Sequence, residues 1–187
     1  INDGKGMFTL QRGAIPPTNT NCGAVTVLDY NEDGLPDLFI GSRSEPQSYG
    51  QTPASFLMRN KGDGTFEDVT QTAAPDFLKL GMITASTLTD VNGDGKKDLV
   101  VTGDWMYPKV FAVSKNRIEA VKQTGLENYS GWWQTMKEAD VDKDGDMDLI
   151  LGNIGNNFYL QVSATAPSFL YVYDFDGNGT GEKILTR

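Results

Sequence analysis

The sequence predicts an all-β chain built from β-propeller blades, each a four-stranded antiparallel sheet. Three observations carry that prediction. Four acidic nine-residue segments recur in one register: DYNEDGLPD at 29–37, DVNGDGKKD at 90–98, DVDKDGDMD at 140–148 and DFDGNGTGE at 174–182. Short strand-like runs flank each segment. The segments start 61, 50 and 34 residues apart, a period suited to blades whose outer hairpins vary in length.

The elements follow in order. Asn2-Asp3-Gly4-Lys5-Gly6-Met7-Phe8 returns 58 residues later as Asn60-Lys61-Gly62-Asp63-Gly64-Thr65-Phe66, and each reads as a hairpin tip with glycines at positive φ. The chain thus opens inside a repeat, which leads to the expectation of a fragment of a longer protein, with residues 1–15 ending a preceding blade. A blade is expected over 24–70. Ala24–Leu28 enters its acidic loop, Leu38–Gly41 leaves it, and Ser55–Asn60 with Phe66–Val69 forms the outer hairpin. A second blade over 84–122 uses Thr84–Thr89, Leu99–Thr102, Lys109–Val113 and Arg117–Val121. A short blade over 133–163 uses Gln134–Ala139, Leu149–Gly152 and Asn157–Val162. A partial blade over 168–187 uses Phe169–Tyr173 and Lys183–Thr186. Helix signals are weak, and Ala73–Leu80 has room for about one turn.

Composition narrows the function. With 187 residues, 39% hydrophobic and 22% charged, the chain is an ordinary globular one with a real core. The formal charge is −9, and 15 of the 25 acids lie within the four loops. Four divalent ions would offset eight of the nine excess negative charges, so the acidity reads as metal-site chemistry. It excludes nucleic acid as a partner, because phosphates need a basic face. The chain has no His, which removes the commonest general base and transition-metal ligand. Cys22, the single cysteine, reads as a small buried residue beginning a strand. No apolar run is long enough for a membrane-spanning segment.

Within each loop, positions 1, 3 and 5 present oxygen-bearing side chains: Asp29, Asn31 and Asp33; Asp90, Asn92 and Asp94; Asp140, Asp142 and Asp144; Asp174, Asp176 and Asn178. Position 7 would offer a backbone carbonyl, from Leu35, Lys96, Asp146 and Thr180. Position 9 closes the shell with Asp37, Asp98, Asp148 and Glu182. Position 6 is always Gly, which permits the sharp turn. Oxygen-only ligands at alternating positions suit Ca²⁺, a hard cation that takes six to eight oxygens. An EF-hand would close with Glu at position 12, but Ile40, Val101, Leu151 and Leu185 stand there. One such loop is explained by Asp/Asn/Gly turn chemistry alone. Four in register point to three or four Ca²⁺ sites, with the fourth loop departing most because Asn178 and Glu182 replace Asp. The apolar position-2 residues Tyr30, Val91, Val141 and Phe175 are expected to pack into the sheet layers.

The pattern D-x-[DN]-x-D-G-x-x-D before an apolar strand, with N-x-G-x-G-x-F hairpins, resembles the FG-GAP/VCBS repeat family, whose integrin-like members carry related calcium loops. NKGDGTFEDVT at 60–70 is similar to bacterial cell-surface members. The resemblance implies propellers that are typically seven-bladed, with Ca²⁺ between the first two strands of a blade. About three blades plus fragments do not close a ring, so the rest of a parent chain is expected to complete it.

The leading functional expectation is a non-catalytic calcium-binding propeller segment of a secreted or cell-surface protein. Calcium would act as a structural staple, and the partner would be an unidentified protein or glycan. The alternative is an accessory or catalytic domain of a polysaccharide-active, lyase-like enzyme. Against it, the carboxylates already have metal work and no spare acid pair stands out, so no catalytic residue is assigned. A lectin is the third reading, with Trp105, Trp132 and Trp133 stacking on sugars and Trp105-Met106-Tyr107 as an exposed loop. The competing reading, which is preferred, has these aromatics filling gaps between blades. Weak calcium sites would be empty in cytosol, so an extracellular, cell-surface or periplasmic location is expected.

Overall fold

A computed structural model describes residues 1–155, 158–159, 162–163 and 165–187. Among the described residues twelve strands form antiparallel sheets and helices are confined to single turns. Strands β1 (Asn21–Leu28), β2 (Asp37–Ser44), β3 (Phe56–Asn60) and β4 (Phe66–Asp68) make a four-stranded meander in that order. Strands β5 (Met82–Thr89), β6 (Asp98–Met106), β7 (Lys109–Ser114) and β8 (Arg117–Ala120) repeat it. The pair β9 (Gly131–Ala139) with β10 (Asp148–Asn153) joins that second sheet where Asp104 and Met106 of β6 pair with Trp132 and Gly131, and β11 (Phe169–Tyr173) with β12 (Glu182–Thr186) forms a two-stranded sheet. Each acidic segment lies in the turn between the first two strands of its unit. The registers are set there: Leu28 pairs Asp37, Thr89 pairs Asp98, Ala139 pairs Asp148 and Tyr173 pairs Glu182.

The opening strands β1, β5 and β9 lie side by side, as inner strands of successive blades do. Gly23 makes the first of these approaches possible. A Cβ there would stand 1.9 Å from the Ile83 carbonyl oxygen, so only hydrogen fits between β1 and β5. Alternation along β6 serves both neighbouring layers. Leu99 and Val101 join the core shared with Phe39 and Leu57, while Val100 joins Val110 and Met136 on the other side.

The sequence between β4 and β5 holds more than one turn. A helical turn at Thr70–Ala73 is followed by a 3₁₀ turn at Pro75–Lys79, started by Pro75 at its first position. This pair delivers Phe77, fully buried, between the first two blades. Its ring meets Phe39 edge-on at 4.9 Å and Phe111 at 5.3 Å. The Ser55 N–H donates to the Phe77 carbonyl and the Leu57 N–H to the Thr70 hydroxyl, which pins the turns to β3.

Several local expectations change. Cys22 is exposed on β1 rather than buried. Of the position-2 residues only Tyr30 is buried; Val91, Val141 and Phe175 are exposed. Trp105 and Met106 continue β6, with Met106 buried, instead of forming an exposed loop. The bridge Asn2–Phe8 closes the first glycine-rich hairpin. The outer strand expected at Asn157–Val162 lies partly outside the described residues.

Candidate metal centres

All four loops fold by one hydrogen-bonding scheme, which follows from their residue spacing. The position-1 carboxylate reaches across the turn and accepts the position-6 N–H: Gly34 to Asp29 at 2.9 Å, Gly95 to Asp90 at 2.7 Å, Gly145 to Asp140 at 3.2 Å and Gly179 to Asp174 at 2.9 Å. The position-7 N–H donates to the position-5 side chain: Leu35 to Asp33, Lys96 to Asp94, Asp146 to Asp144 and Thr180 to Asn178, at 2.8 to 3.1 Å. The position-9 acid accepts the position-2 N–H, from Tyr30 to Asp37, Val141 to Asp148 and Phe175 to Glu182. Position-3 oxygens accept the position-5 N–H, as at Asn31, Asn92, Asp142 and Asp176. The loop backbone thus turns its N–H groups onto the loop's own side-chain oxygens and gathers those side chains around the turn.

This winding needs left-handed backbone at two positions. Position 6 is met by Gly34, Gly95, Gly145 and Gly179 with φ between 81° and 100°. Position 4 is also left-handed, at Glu32, Gly93, Lys143 and Gly177 with φ between 60° and 74°. The second requirement is hidden in the sequence, because two of the four residues are not glycine.

In the third and fourth loops the carboxylates converge as a metal shell requires. Ligand oxygens of Asp140, Asp142 and Asp148 lie within 4.8 Å of one another, as do those of Asp174, Asp176 and Glu182. These are positions 1, 3 and 9. In the first two loops position 3 is an amide, Asn31 or Asn92, whose Nδ2 donates to Asp33 or Asp94. The electrostatics carry the imprint of crowding. Hydrogen bonds led by the Gly95 N–H hold Asp90 below the usual carboxylate range. Burial pushes Asp37 up despite N–H bonds from Asn60 and Tyr30. Asp146 is raised by its hydrogen bond to Asp144 and by that neighbour's charge.

Asp98 provides the direct test of fit for a cation. It is 4% exposed, burial raises its carboxyl, and Asp94 and Asp90 add to the effect. Its Oδ2 is buried with no hydrogen-bond partner among the described residues. An orphaned carboxylate oxygen facing other acids is the donor a hard divalent ion accepts, so the residues fit calcium.

The opposite ends of the strands carry a network that sequence reasoning missed. Asp104, on β6 and 1% exposed, accepts from Arg43 Nε at 3.1 Å, the Tyr49 hydroxyl at 3.2 Å and Gln134 Nε2 at 2.7 Å. These donors come from β2, the loop after it, and β9, so one carboxylate ties three blades. Burial and the Asp104 charge push the Tyr49 hydroxyl up to about 12. The available signal was an acid inside the apolar run Leu99–Met106. Trp105 (φ 60°) donates its indole N–H to Tyr49 Oη at 3.1 Å and stacks on Trp132 at 5.1 Å. Trp132 also meets Phe158 edge-on at 4.9 Å, and Trp133 Nε1 donates to the Tyr129 carbonyl at 3.1 Å. Trp105 and Trp132 thus meet where β6 pairs with β9.

Fold and loops together define a class: an all-β propeller segment whose blades each begin with an acidic, oxygen-lined hairpin. The FG-GAP-like repeat matches residues 48–101 and 90–151, more than half of the 187, and the chain belongs to that family. It is 33% identical over 123 residues to cartilage acidic protein 1 of Xenopus tropicalis, which covers 63% of this chain and 17% of that protein. It is 34% identical over 81 residues to a T-cell immunomodulatory protein homolog of Plasmodium yoelii yoelii, covering 41% of this chain and 11% of the relative. Over 90 residues it is 31% identical to the phosphatidylinositol-glycan-specific phospholipase D of Mus musculus, covering 46% of this chain and 10% of the relative. The chain thus spans less than a fifth of the length of each of these relatives. Among the described residues no helix is long and apolar enough to cross a membrane.

Proposed function

We propose that the chain is a calcium-stapled propeller segment that serves in protein or glycan interaction and performs no chemistry of its own. The observation that carries this reading is the orphaned Asp98 Oδ2 inside a loop whose scheme is repeated four times. Bound Ca²⁺ would supply the positive charge that lets each set of acids sit together. Asp29, Asn31, Asp33 and Asp37 would hold it in the first loop, and Asp90, Asn92, Asp94 and Asp98 in the second. Asp140, Asp142, Asp144 and Asp148 would do so in the third, and Asp174, Asp176, Asn178 and Glu182 in the fourth. The carbonyls of Leu35, Lys96, Asp146 and Thr180 are the proposed backbone ligands. The units 24–70, 84–122, 133–163 and 168–187 are proposed as successive blades, with 1–15 belonging to a blade before them and further chain completing the ring.

Dissociation constants of about 10⁻⁴ to 10⁻³ M, typical of extracellular modules, give roughly 0.4–1.4 kcal/mol per site at millimolar calcium. Sites that weak are filled outside cells and empty in cytosol, which supports an extracellular, cell-surface or periplasmic location. One aligned relative bears an enzyme's name, but the match covers a tenth of it and does not carry its activity here. Four filled sites would contribute roughly 2–6 kcal/mol. Thermal melting in EDTA and in millimolar CaCl₂ tests the reading. A calcium-dependent rise on the order of ten degrees is expected for a chain of this size. An unchanged melting temperature refutes it.

A further inference from the structure

A cavity of about 890 Å³ opens at the ends of the strands opposite the acidic loops, between β9, β10 and β11. Its size is that of a small-ligand site. Two properties define what it would take. First, its described lining contains no charged side chain, in a chain whose formal charge is −9. Second, aromatic rings in that lining remain half-exposed: Tyr129 at 61%, Tyr171 at 53% and Phe169 at 49%. Polar groups stand in the wall and behind it. The Trp132 indole N–H and the Ser168 hydroxyl are buried behind the lining with no partner among the described residues. The side-chain amides of Asn128 and Asn153 lie in the same lining.

We propose that this cavity binds a neutral saccharide. A pyranose ring has an apolar face of C–H groups and a rim of hydroxyls that both donate and accept. The aromatic faces suit the first. The exposed Asn128 and Asn153 amides suit the second, because an amide both donates to and accepts from a hydroxyl. Uronate, sulfate or phosphate ligands are selected against, since their charge calls for an Arg or Lys that the lining lacks. A cationic ligand finds no carboxylate there. This names a ligand class for the interaction reading above and rests on it.

All three tryptophans of the chain, Trp105, Trp132 and Trp133, line the cavity, so intrinsic fluorescence reports on this site. The test is a fluorescence titration in saturating CaCl₂ with neutral cello-, manno-, xylo- and galacto-oligosaccharides, and with oligogalacturonate as the charged counterpart. The expected result is saturable binding of at least one neutral oligosaccharide. Oligogalacturonate should bind at least tenfold more weakly. Tyr171→Ala and Phe169→Ala, each half-exposed, should weaken neutral binding about tenfold or more while leaving the calcium-dependent melting temperature intact. The proposal is overturned if no neutral sugar binds the calcium-loaded protein, if the charged oligomer binds as well or better, or if both variants bind like the parent. The melting shift is read in the same samples. A failure of sugar binding with that shift intact sinks only this inference, whereas loss of the shift sinks the calcium reading.

Discussion

Replacing Asp98 by Asn tests the calcium reading through a change of sign. Without metal, Asp98 is a liability: a carboxylate 4% exposed, raised by burial, with Oδ2 unpartnered and Asp94 and Asp90 nearby. An amide of the same shape can keep one oxygen for the Val91 N–H while its nitrogen offers hydrogens to the neighbouring carboxylates. Leaving a buried polar group unpaired costs about 1–3 kcal/mol, so Asp98→Asn should stabilise the metal-free protein by about 1–2 kcal/mol. At roughly 2–4 °C per kcal/mol for a chain of this size, the melting temperature in EDTA should rise by roughly 2–8 °C. In calcium the variant loses an anionic ligand and with it one site's contribution, roughly 0.4–1.4 kcal/mol. The increment between EDTA and CaCl₂ should therefore shrink for the variant, and calorimetric titration should count one fewer ion. The assay is differential scanning calorimetry of both proteins under both conditions. If Asp98→Asn lowers the melting temperature equally in EDTA and calcium, the carboxylate has a metal-independent structural role and the reasoning fails.

Four further outcomes are expected. Phe77→Ala should cost about 3–5 kcal/mol, the usual loss for a buried Phe, because its ring holds Phe39 and Phe111 in one edge-on chain; urea unfolding measures it. Asp104→Ala should cost about 2–4 kcal/mol by stripping Tyr49, Gln134 and Arg43 of a shared acceptor. Arg43→Ala should cost less than about 1 kcal/mol, since Arg43 is 44% exposed and solvent screens it; chemical denaturation of both variants separates the two. Gly145→Ala should cost about 1–2 kcal/mol in EDTA as well as calcium, because φ of 100° penalises any Cβ whether or not metal is present. A loss seen only in calcium would place the glycine's role in ion binding instead.

The hairpin loops were legible because their information is local. Nine residues hold the whole scheme of position 1 to 6, 5 to 7 and 9 to 2, and the flanking runs pair in register from the turn outward. What stayed hidden depends on distant partners. Asp104 meets Arg43 across 61 residues, and no local pattern announces that meeting. Phe77 sits on two consecutive single turns, too short to produce a helical period, so the sequence shows only room for a turn there. The exposure of Val141 and Phe175, against a buried Tyr30, follows from what lies outside each loop. Tyr30 gains cover from the second blade's outer hairpin, whose Asn116 N–H donates to its carbonyl.

The two ends of the blades answer to different chemistry, and their separation has a consequence. The acidic turns sit before Asp98 and Asp148, while the aromatic cavity lies at the far ends of the same strands, at Trp105 and Asn153. β6 spans nine residues, and at about 3.3 Å per residue that places the ends more than 20 Å apart. A ligand beside Trp105 contacts no ion of the second loop across that distance; the fourth loop is nearer, because Tyr171 stands three residues before Asp174. Coupling to the second site would have to run through the shape of the blades, which interlocking packing holds rigid once formed. Calcium at that site should therefore govern how much folded protein exists and leave its affinity for a cavity ligand unchanged. Sugar affinity measured at rising CaCl₂ should be flat once melting shows the chain folded. A graded change in affinity beyond that point would mean the staples tune the cavity, and the separation of roles would be wrong.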